Sequence, residues 1–341
     1  MGRMVESTRI VLASRPVGAP TPENFRTEIA KLPAPDEGEV MLRTLYLSLD
    51  PYMRGRMSSA ESYADPVEIG GVMVGATVAE VLESRDPSVA EGDVVLAYSG
   101  WQTHDVAPAR GLRKLDPGKA PVSTALGVLG MPGFTAYAGL REIGKPQPGE
   151  TLVVAAATGP VGSAVGQIAK IGGTRTVGIA GGPRKVAYLD ELGFDVALDH
   201  RAPDFTEQLA AAVPDGIDVY FENVGGAVAD AVYPLLNTYA RVPVCGLIAN
   251  YNAAGAPEGP DRLPAYYGRI LTKSLTVRGF IQTEFVRELF PDFLRQMGEW
   301  VAEGRVRYLE DVVPGLAAAP EAFIGMLEGR NFGKVVVRVA D

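Results

Sequence analysis

An apolar strand that runs through a glycine turn into a helix lies in the middle of the chain. In LVVAAATGPVGSAVGQIAK, residues 152–170, the spacing Ala157-x-Gly159-x-x-Gly162 is followed one helical turn later by Gly166. A glycine in the turn lets the backbone approach a pyrophosphate, the proline after it fits a first helical turn, and the later glycines allow close helix packing. Amides at a helix start also attract an anion. Because an apolar strand precedes the turn and five more βα units follow it, a bound dinucleotide is favoured over glycines that serve packing alone.

The end of the next strand indicates which dinucleotide is bound. Enzymes that use NAD usually present an acidic residue there to the ribose 2′-hydroxyl, about 20 residues after the glycine turn. This chain reads VGIAGGPRK at 177–185 and has no acid. Gly181 and Gly182 leave room for a 2′-phosphate, and Arg184 and Lys185 supply positive charge. The pair could also be exposed cations that begin a helix, but cations are disfavoured at that end, so NADP is predicted.

The sequence pattern changes near residue 150 and predicts an α/β protein with two parts. Before that point, short apolar runs at 39–50, 71–84 and 92–100 alternate with turn residues, which is typical of antiparallel strands. From Glu150 to Phe280, strands alternate with helical stretches. That is the βαβ pattern of a doubly wound parallel sheet.

The last part of the chain is too short to build a core of its own. Residues 284–305 have the apolar spacing of a long helix interrupted by Pro291, and a final helix and strand follow. We expect this final helix and strand to pack on the first domain. The predicted boundaries are 1–127 with 307–341 for the mainly-β domain, and 128–306 for the dinucleotide-binding domain.

Composition excludes several classes of protein. The 341 residues are 47% hydrophobic, enough for more than one core. A net charge of -9 and a pI near 5.0 would repel a phosphate backbone, so nucleic acid is not an expected partner. No run of about 18 apolar residues and no secretion signal is present, so we expect no membrane span and a cytoplasmic protein.

Cysteine and histidine are too few for a zinc centre. Cys245 is the single cysteine, and His104 and His200 are the two histidines. A tetrahedral zinc site of cysteine and histidine ligands is therefore not possible, although a hard metal held by carboxylates stays open. We assign Trp101 to a strand edge and His104 to a surface position.

Seven ordered blocks carry a family resemblance. They are YLSLDPYMRGRM (46–57), LGMPGFTAYAGL (129–140), AATGPVGSAVGQIAK, IAGGPRKVAYL, YFENVGG, CGLIANYN and GRNFGKVVV. Over nearly its whole length the chain resembles the zinc-free medium-chain dehydrogenase/reductase superfamily, in particular the group of prostaglandin, plant double-bond and curcumin reductases. The resemblance implies a GroES-like catalytic domain, a Rossmann domain and a homodimer. Zinc-dependent relatives carry cysteine where Ser48 stands and Gly-His-Glu where this chain has Gly70-Gly71-Val72.

The resemblance also implies an NADPH site. Lys185 would bind the 2′-phosphate, where the family usually has an acid in place of Arg184 and a tyrosine in place of His200. His200 can still donate to a phosphate, or it is a surface residue that ends a strand. The implied pyrophosphate residues are Gly159, Pro160, Val161 and Gly162, and the other implied NADPH contacts are Asn223, Cys245, Gly246, Ile248, Tyr251, Phe280 and Asn331.

Reduction of a carbonyl needs stabilisation of charge on oxygen, usually by zinc or by a Tyr-x-x-x-Lys pair, and no tyrosine here has lysine four residues later. Hydride addition to the β-carbon of an activated alkene needs less stabilisation of charge on oxygen, because the enolate that forms delocalises its charge. The resemblance makes Tyr251 the catalytic candidate, either as proton donor or as a group that orients ribose and substrate. Tyr52 and Tyr63 resemble substrate-binding positions of the cleft, or they are packed loop residues. The loops 52–66 and 252–268 would determine the substrate. Quinone reduction on the same fold, or NADPH binding with little catalysis, stays open.

Overall fold

The computed structural model describes residues 4–255 and 260–340, and it divides into two compact units. The first runs up to Gly127 and includes the segment from Glu310 onward, and the second is Val128–Leu309. The second boundary thus follows Leu309 rather than residue 306. The side chain of Gln167 explains this difference, because it donates to the Arg307 carbonyl at 2.9 Å and accepts from the Arg307 amide at 2.7 Å.

The first unit is mainly β, with antiparallel pairing for all but one pair of its strands. One sheet has two strands, β1 and β2, and the other has seven, in the order β14-β15-β3-β4-β5-β7 with β6 beside β3. Among the described strands of this unit, β14 and β15 form the one parallel pair. In chain order the elements are β1 Val5–Leu12, β2 Phe25–Leu32, β3 Glu39–Ser48, α1 Tyr52–Arg56, β4 Thr77–Ser84, β5 Val94–Ala97, β6 His104–Pro108, β7 Arg113–Lys114 and, near the chain end, β14 Glu310–Pro314, α9 Ala319–Leu327 and β15 Lys334–Arg338.

Trp101 corrects one expectation from the sequence. Its side chain is fully buried rather than placed at a strand edge. The indole stacks on Phe25 at 5.6 Å between ring centroids and meets Phe323 edge-on at 5.6 Å. Aromatic burial of this size stabilises a core strongly, so Trp101 is an anchor of the first unit. His104 is half-buried at the start of β6, and burial lowers its pKa.

The second unit is a doubly wound sheet of six parallel strands in the order β10-β9-β8-β11-β12-β13. Alternate residues of β8 enter two separate apolar cores, Leu152 and Val154 on one face and Val153 and Ala155 on the other. Helices cover both faces, as the βαβ pattern predicted. In chain order the elements are α2 Met131–Gly139, β8 Thr151–Ala155, α3 Pro160–Ile171, β9 Arg175–Ala180, α4 Pro183–Glu191, β10 Val196–Asp199, α5 Phe205–Ala212, β11 Ile217–Phe221, α6 Gly226–Val232, β12 Leu236–Val244, α7 Leu263–Lys273, β13 Thr276–Gly279 and α8 Val286–Ala302, with a π-helical turn at Leu140–Gly144.

The sequence predicted that Pro291 interrupts the long helix near the end of the second unit, and this prediction is wrong. Helix α8 continues through that residue. The proline removes one backbone hydrogen bond, but Leu289, Phe293 and Met297 are buried along one face of the helix. Their packing on the core outweighs the local cost. Across the two described segments, no helix has the length and apolar character that a membrane span requires.

Candidate functional site

The glycine turn connects the buried strand β8 to helix α3. Gly159 is the N-cap of α3, so no side chain caps the helix. A methyl group built on Gly162 would lie 2.8 Å from Ala157 Cα, and closer still to the Ala156 carbonyl oxygen. Only glycine fits there. The predicted pyrophosphate residues, Gly159, Pro160, Val161 and Gly162, therefore stand at an open helix start. The amides of Val161 and Gly162, in the first turn, have no partner within the helix and can donate to an anion.

Basic side chains collect where β9 and β10 end. The two strands are parallel neighbours, so residues that follow them meet at one edge of the sheet. A methyl group built on Gly181 would lie 2.7 Å from His200 Nε2 and 2.9 Å from Arg201 Nε. Arg184 and Lys185 stand in the first turn of α4 behind Gly182.

Desolvation and nearby positive charge act together on His200. His200 is exposed where β10 ends, yet partial desolvation of its imidazole and then the charge of Arg201 lower its pKa, while Asp199 opposes them. The Asp199 carboxylate is engaged by backbone, since it accepts from the Gly182 amide at 3.0 Å and the Arg201 amide at 2.9 Å. Arg201 did not emerge from the sequence analysis. Arg201 could have been found from its position, because it follows the end of β10, the strand that pairs with β9.

The turn after β11 is held by a buried carboxylate. Glu222 is fully buried, and its Oε1 accepts from the Tyr220 hydroxyl at 3.0 Å and from the amides of Val224 and Gly225 at 2.8 Å each. Burial raises the pKa of this carboxyl. Asn223, a predicted cofactor contact, donates from Nδ2 to the Ala155 carbonyl at 3.0 Å. The sequence did not predict this role of Glu222, because the conformation of the turn determines which amides reach its carboxylate.

The segment after β12 returns to that turn. The amide of Cys245 donates to the Glu222 carbonyl at 3.0 Å, and the amide of Ile248 donates to the Asn223 carbonyl at 3.3 Å. The Tyr251 hydroxyl accepts from the Leu247 amide at 3.3 Å.

An open, mostly apolar depression of about 400 Å³ lies beside this segment. Phe280 closes part of it, and its amide donates to the Val244 carbonyl at 3.3 Å. Burial raises the pKa of the Cys245 thiol to about 12, so the thiol stays protonated. The depression is lined by Val244, Cys245, Gly246, Leu247, Tyr251, Gly279, Phe280, Ile281 and Glu284. Part of the predicted loop 252–268, residues 256–259, lies outside the described residues.

Three predicted residues belong to the first unit. Tyr52 begins helix α1, and burial raises the pKa of its hydroxyl. Tyr63 is 59% exposed. Asn331 donates from Nδ2 to the Gly333 carbonyl at 2.9 Å. Arg56, which the sequence analysis did not single out, contacts both tyrosine rings.

A buried ion pair lies beside Ser48, the position at which the resemblance implies a cysteine in zinc-dependent relatives. The Ser48 hydroxyl donates to Asp50, and Lys334 Nζ donates to Asp50 Oδ1 at 2.7 Å and to the Leu49 carbonyl at 2.6 Å. Burial lowers the pKa of the Lys334 ammonium, and Asp50 opposes that effect. Within residues 4–255 and 260–340, no three histidine, cysteine or carboxylate side chains are grouped as metal ligands would be.

Comparisons with known proteins agree with this architecture. The family model described as "N-terminal domain of oxidoreductase" matches residues 8–115, and the one described as "Zinc-binding dehydrogenase" matches residues 160–299. The NADPH-dependent curcumin reductase of Escherichia coli (strain K12) is 59% identical over 333 residues, 97% of this chain and 96% of the relative. A 2-alkenal reductase (NADP(+)-dependent) of Nicotiana tabacum is 40% identical over 347 residues, 100% of this chain and 99% of the relative.

A solved structure matches both units. The crystal structure of CurA in complex with NADPH from Vibrio vulnificus has a TM-score of 0.95 and 55% sequence identity, covering 98% of this chain and 99% of that one. The chain therefore belongs to the medium-chain dehydrogenase/reductase superfamily, in the group of curcumin, prostaglandin and alkenal reductases that its sequence blocks predicted.

Proposed function

We propose that the protein reduces the carbon–carbon double bond of α,β-unsaturated ketones and aldehydes without zinc, with NADPH as the reductant. The observation that supports this most is a shared sheet edge. The glycine turn, the basic cluster and the apolar depression beside Tyr251 all follow the carboxyl ends of parallel strands in one sheet. Open α/β sheets bind ligands at that edge.

The residues at this edge fit NADPH. The start of α3 provides amides for the pyrophosphate, and the side chains of Lys185, His200 and Arg201 would hold the 2′-phosphate. The depression between Gly246 and Phe280 would take the nicotinamide end. The NADPH-dependent relatives support the same choice of cofactor. When bound, NADPH supplies a hydride.

The chain's own chemical contribution is small, as an alkene reduction allows. Tyr251 would donate a hydrogen bond from its hydroxyl to the substrate oxygen, where the enolate charge develops after hydride reaches the β-carbon. The α-carbon then takes a proton from Tyr251 or from water. The tyrosine oxygen accepts the hydrogen bond from the Leu247 amide, so that bond does not use the hydroxyl proton.

A substrate panel tests this function. NADPH oxidation is measured with an enone, a 2-alkenal, a quinone and a saturated ketone, and products are analysed after reaction with NADPH deuterated at the transferring position. We expect turnover of the enone and alkenal, with deuterium on the β-carbon and an intact carbonyl. Turnover of the quinone alone would favour a quinone reductase, and turnover of none would favour an NADPH-binding protein with little catalysis.

A further inference from the structure

One arginine of the first unit contacts two tyrosine rings. The Arg56 guanidinium carbon is 4.5 Å from the centroid of the Tyr63 ring and 5.8 Å from that of Tyr52. Both distances are within the range of a cation–π contact. Arg56 itself is only 7% exposed, whereas Tyr63 is 59% exposed. The buried cation therefore supports a ring whose other parts face outward.

The same arginine closes the loop that carries Tyr63. Its Nη1 donates to the Ala64 carbonyl at 2.7 Å, and its own carbonyl accepts from the Val67 amide at 2.8 Å. Side chain and backbone of Arg56 thus hold the far end of the loop 57–66 against the end of helix α1. A flexible loop of this length would otherwise let Tyr63 sample many positions.

These contacts need a planar guanidinium. It can stack on an aromatic ring and donate in its plane to a carbonyl at the same time, which the compact ammonium of lysine does not do. We propose that Arg56 is a positioning residue that fixes Tyr52 and Tyr63 as an aromatic surface, and that it thereby favours enones bearing large aromatic groups over small enones. This inference rests on the proposed function and on the assignment of both tyrosines to the substrate site.

Selectivity between two enones tests it. Steady-state kinetics are measured at saturating NADPH with a diaryl enone and with but-3-en-2-one, for the wild type, Arg56→Lys and Arg56→Met. We expect KM for the diaryl enone to rise about five- to thirtyfold in both variants, the size of one or two lost cation–π contacts, with kcat within about twofold. For but-3-en-2-one, both constants should stay within about twofold.

A neighbouring arginine provides the matched control. Arg54 lies on the same helix and is 6% exposed, but its guanidinium donates to the Gly18 carbonyl at 2.7 Å. Arg54→Met therefore removes a buried guanidinium from helix α1 and should leave the ratio of kcat/KM between the two enones unchanged. Equal changes of this ratio in the Arg54 and Arg56 variants would overturn the inference.

A double-mutant cycle separates positioning from general loss of structure. In a Tyr63→Ala background, Arg56→Met should change the selectivity ratio less than it does in the wild type, because one of the two rings that Arg56 positions is gone. The full effect persisting there, or no effect in the wild-type background, contradicts the positioning role. If the wild type reduces neither enone, the proposed function fails and the inference fails with it. If the wild type reduces both and Arg56 does not change the ratio, the inference alone fails.

Discussion

At the scale of single residues, we expect the positive charge around Gly181 to select NADPH over NADH. Lys185→Ala and Arg201→Ala should each raise KM for NADPH about ten- to hundredfold, from losing a charge-assisted hydrogen bond of roughly 1.5–3 kcal/mol. KM for NADH should change by less than about twofold. Arg305→Ala is the control, since Arg305 pairs with Glu303 at 3.5 Å on the surface of the same unit. Equal losses for both cofactors would show that neither cation binds the 2′-phosphate.

His200 adds a pH dependence to that selectivity. Its pKa is lowered below the ordinary value of 6.5 in the free protein, and a bound phosphate would raise it. Binding of NADPH then takes up a proton, so its affinity should increase as the pH falls through the interval between the two pKa values. The 2′-phosphate itself gains a proton near pH 6, which weakens binding. His200→Asn isolates the histidine: the ratio of wild-type to variant affinity should rise toward low pH, and a flat ratio contradicts the contact.

Tyr251 should affect turnover more than cofactor affinity, because its hydroxyl matters when charge develops on the enolate oxygen. Tyr251→Phe keeps the ring, and we expect kcat on an enone to fall about ten- to a thousandfold, or roughly 1.4–4 kcal/mol of transition-state stabilisation. The lost bond to the Leu247 amide should alter NADPH affinity little, because it is a long bond at 3.3 Å. An unchanged rate, with a primary isotope effect from deuterated NADPH in both proteins, would remove Tyr251 from the mechanism.

At the scale of elements, helix α3 needs glycine at position 166 in order to pack closely on Phe194. A methyl group built there would overlap the ring of Phe194, 2.8 Å from Cε2 and closer to Cζ. Gly166→Ala should destabilise the second unit by about 1–3 kcal/mol through overpacking. Gly298→Ala is the control on helix α8, since a methyl group there meets nothing within 4 Å, and it should stabilise by about 0.5–1 kcal/mol. Urea unfolding measures both, and Phe194→Leu should restore part of the Gly166 loss.

Helices and strands that a short stretch of sequence specifies could be predicted. Contacts between residues that are far apart in the sequence could not. The glycine spacing and the apolar runs predicted all six parallel strands, because the hydrophobic periodicity of a strand and the turn residues that end it are neighbours in the sequence. Arg201 needs the pairing of β10 with β9, and Arg56 needs the conformation of the loop that returns Tyr63 to it. Trp101 was misplaced for the same reason: its partners Phe25 and Phe323 are far away in sequence.

At the scale of the whole molecule, the chain end completes the first unit. Strand β15 lies between β14 and β3, and its first residue, Lys334, brings a buried ammonium to Asp50. Lys334 is 3% exposed. A buried carboxylate needs a cation or several donors, and Asp50 receives Lys334 on one oxygen and the Ser48 hydroxyl on the other. Asp50 thus already has a cation as its partner.

Metal removal should consequently leave the enzyme active. One cysteine and two histidines cannot build a tetrahedral zinc site. We therefore expect the purified protein to contain far less than one zinc ion per chain. Incubation with a strong chelator should change the rate of enone reduction by less than about twofold. Elemental analysis and the NADPH oxidation assay measure the two quantities on the same sample. A zinc-dependent alcohol dehydrogenase treated in parallel shows that the chelator is effective. Loss of activity that added zinc restores would contradict reduction by NADPH and hydrogen bonding alone.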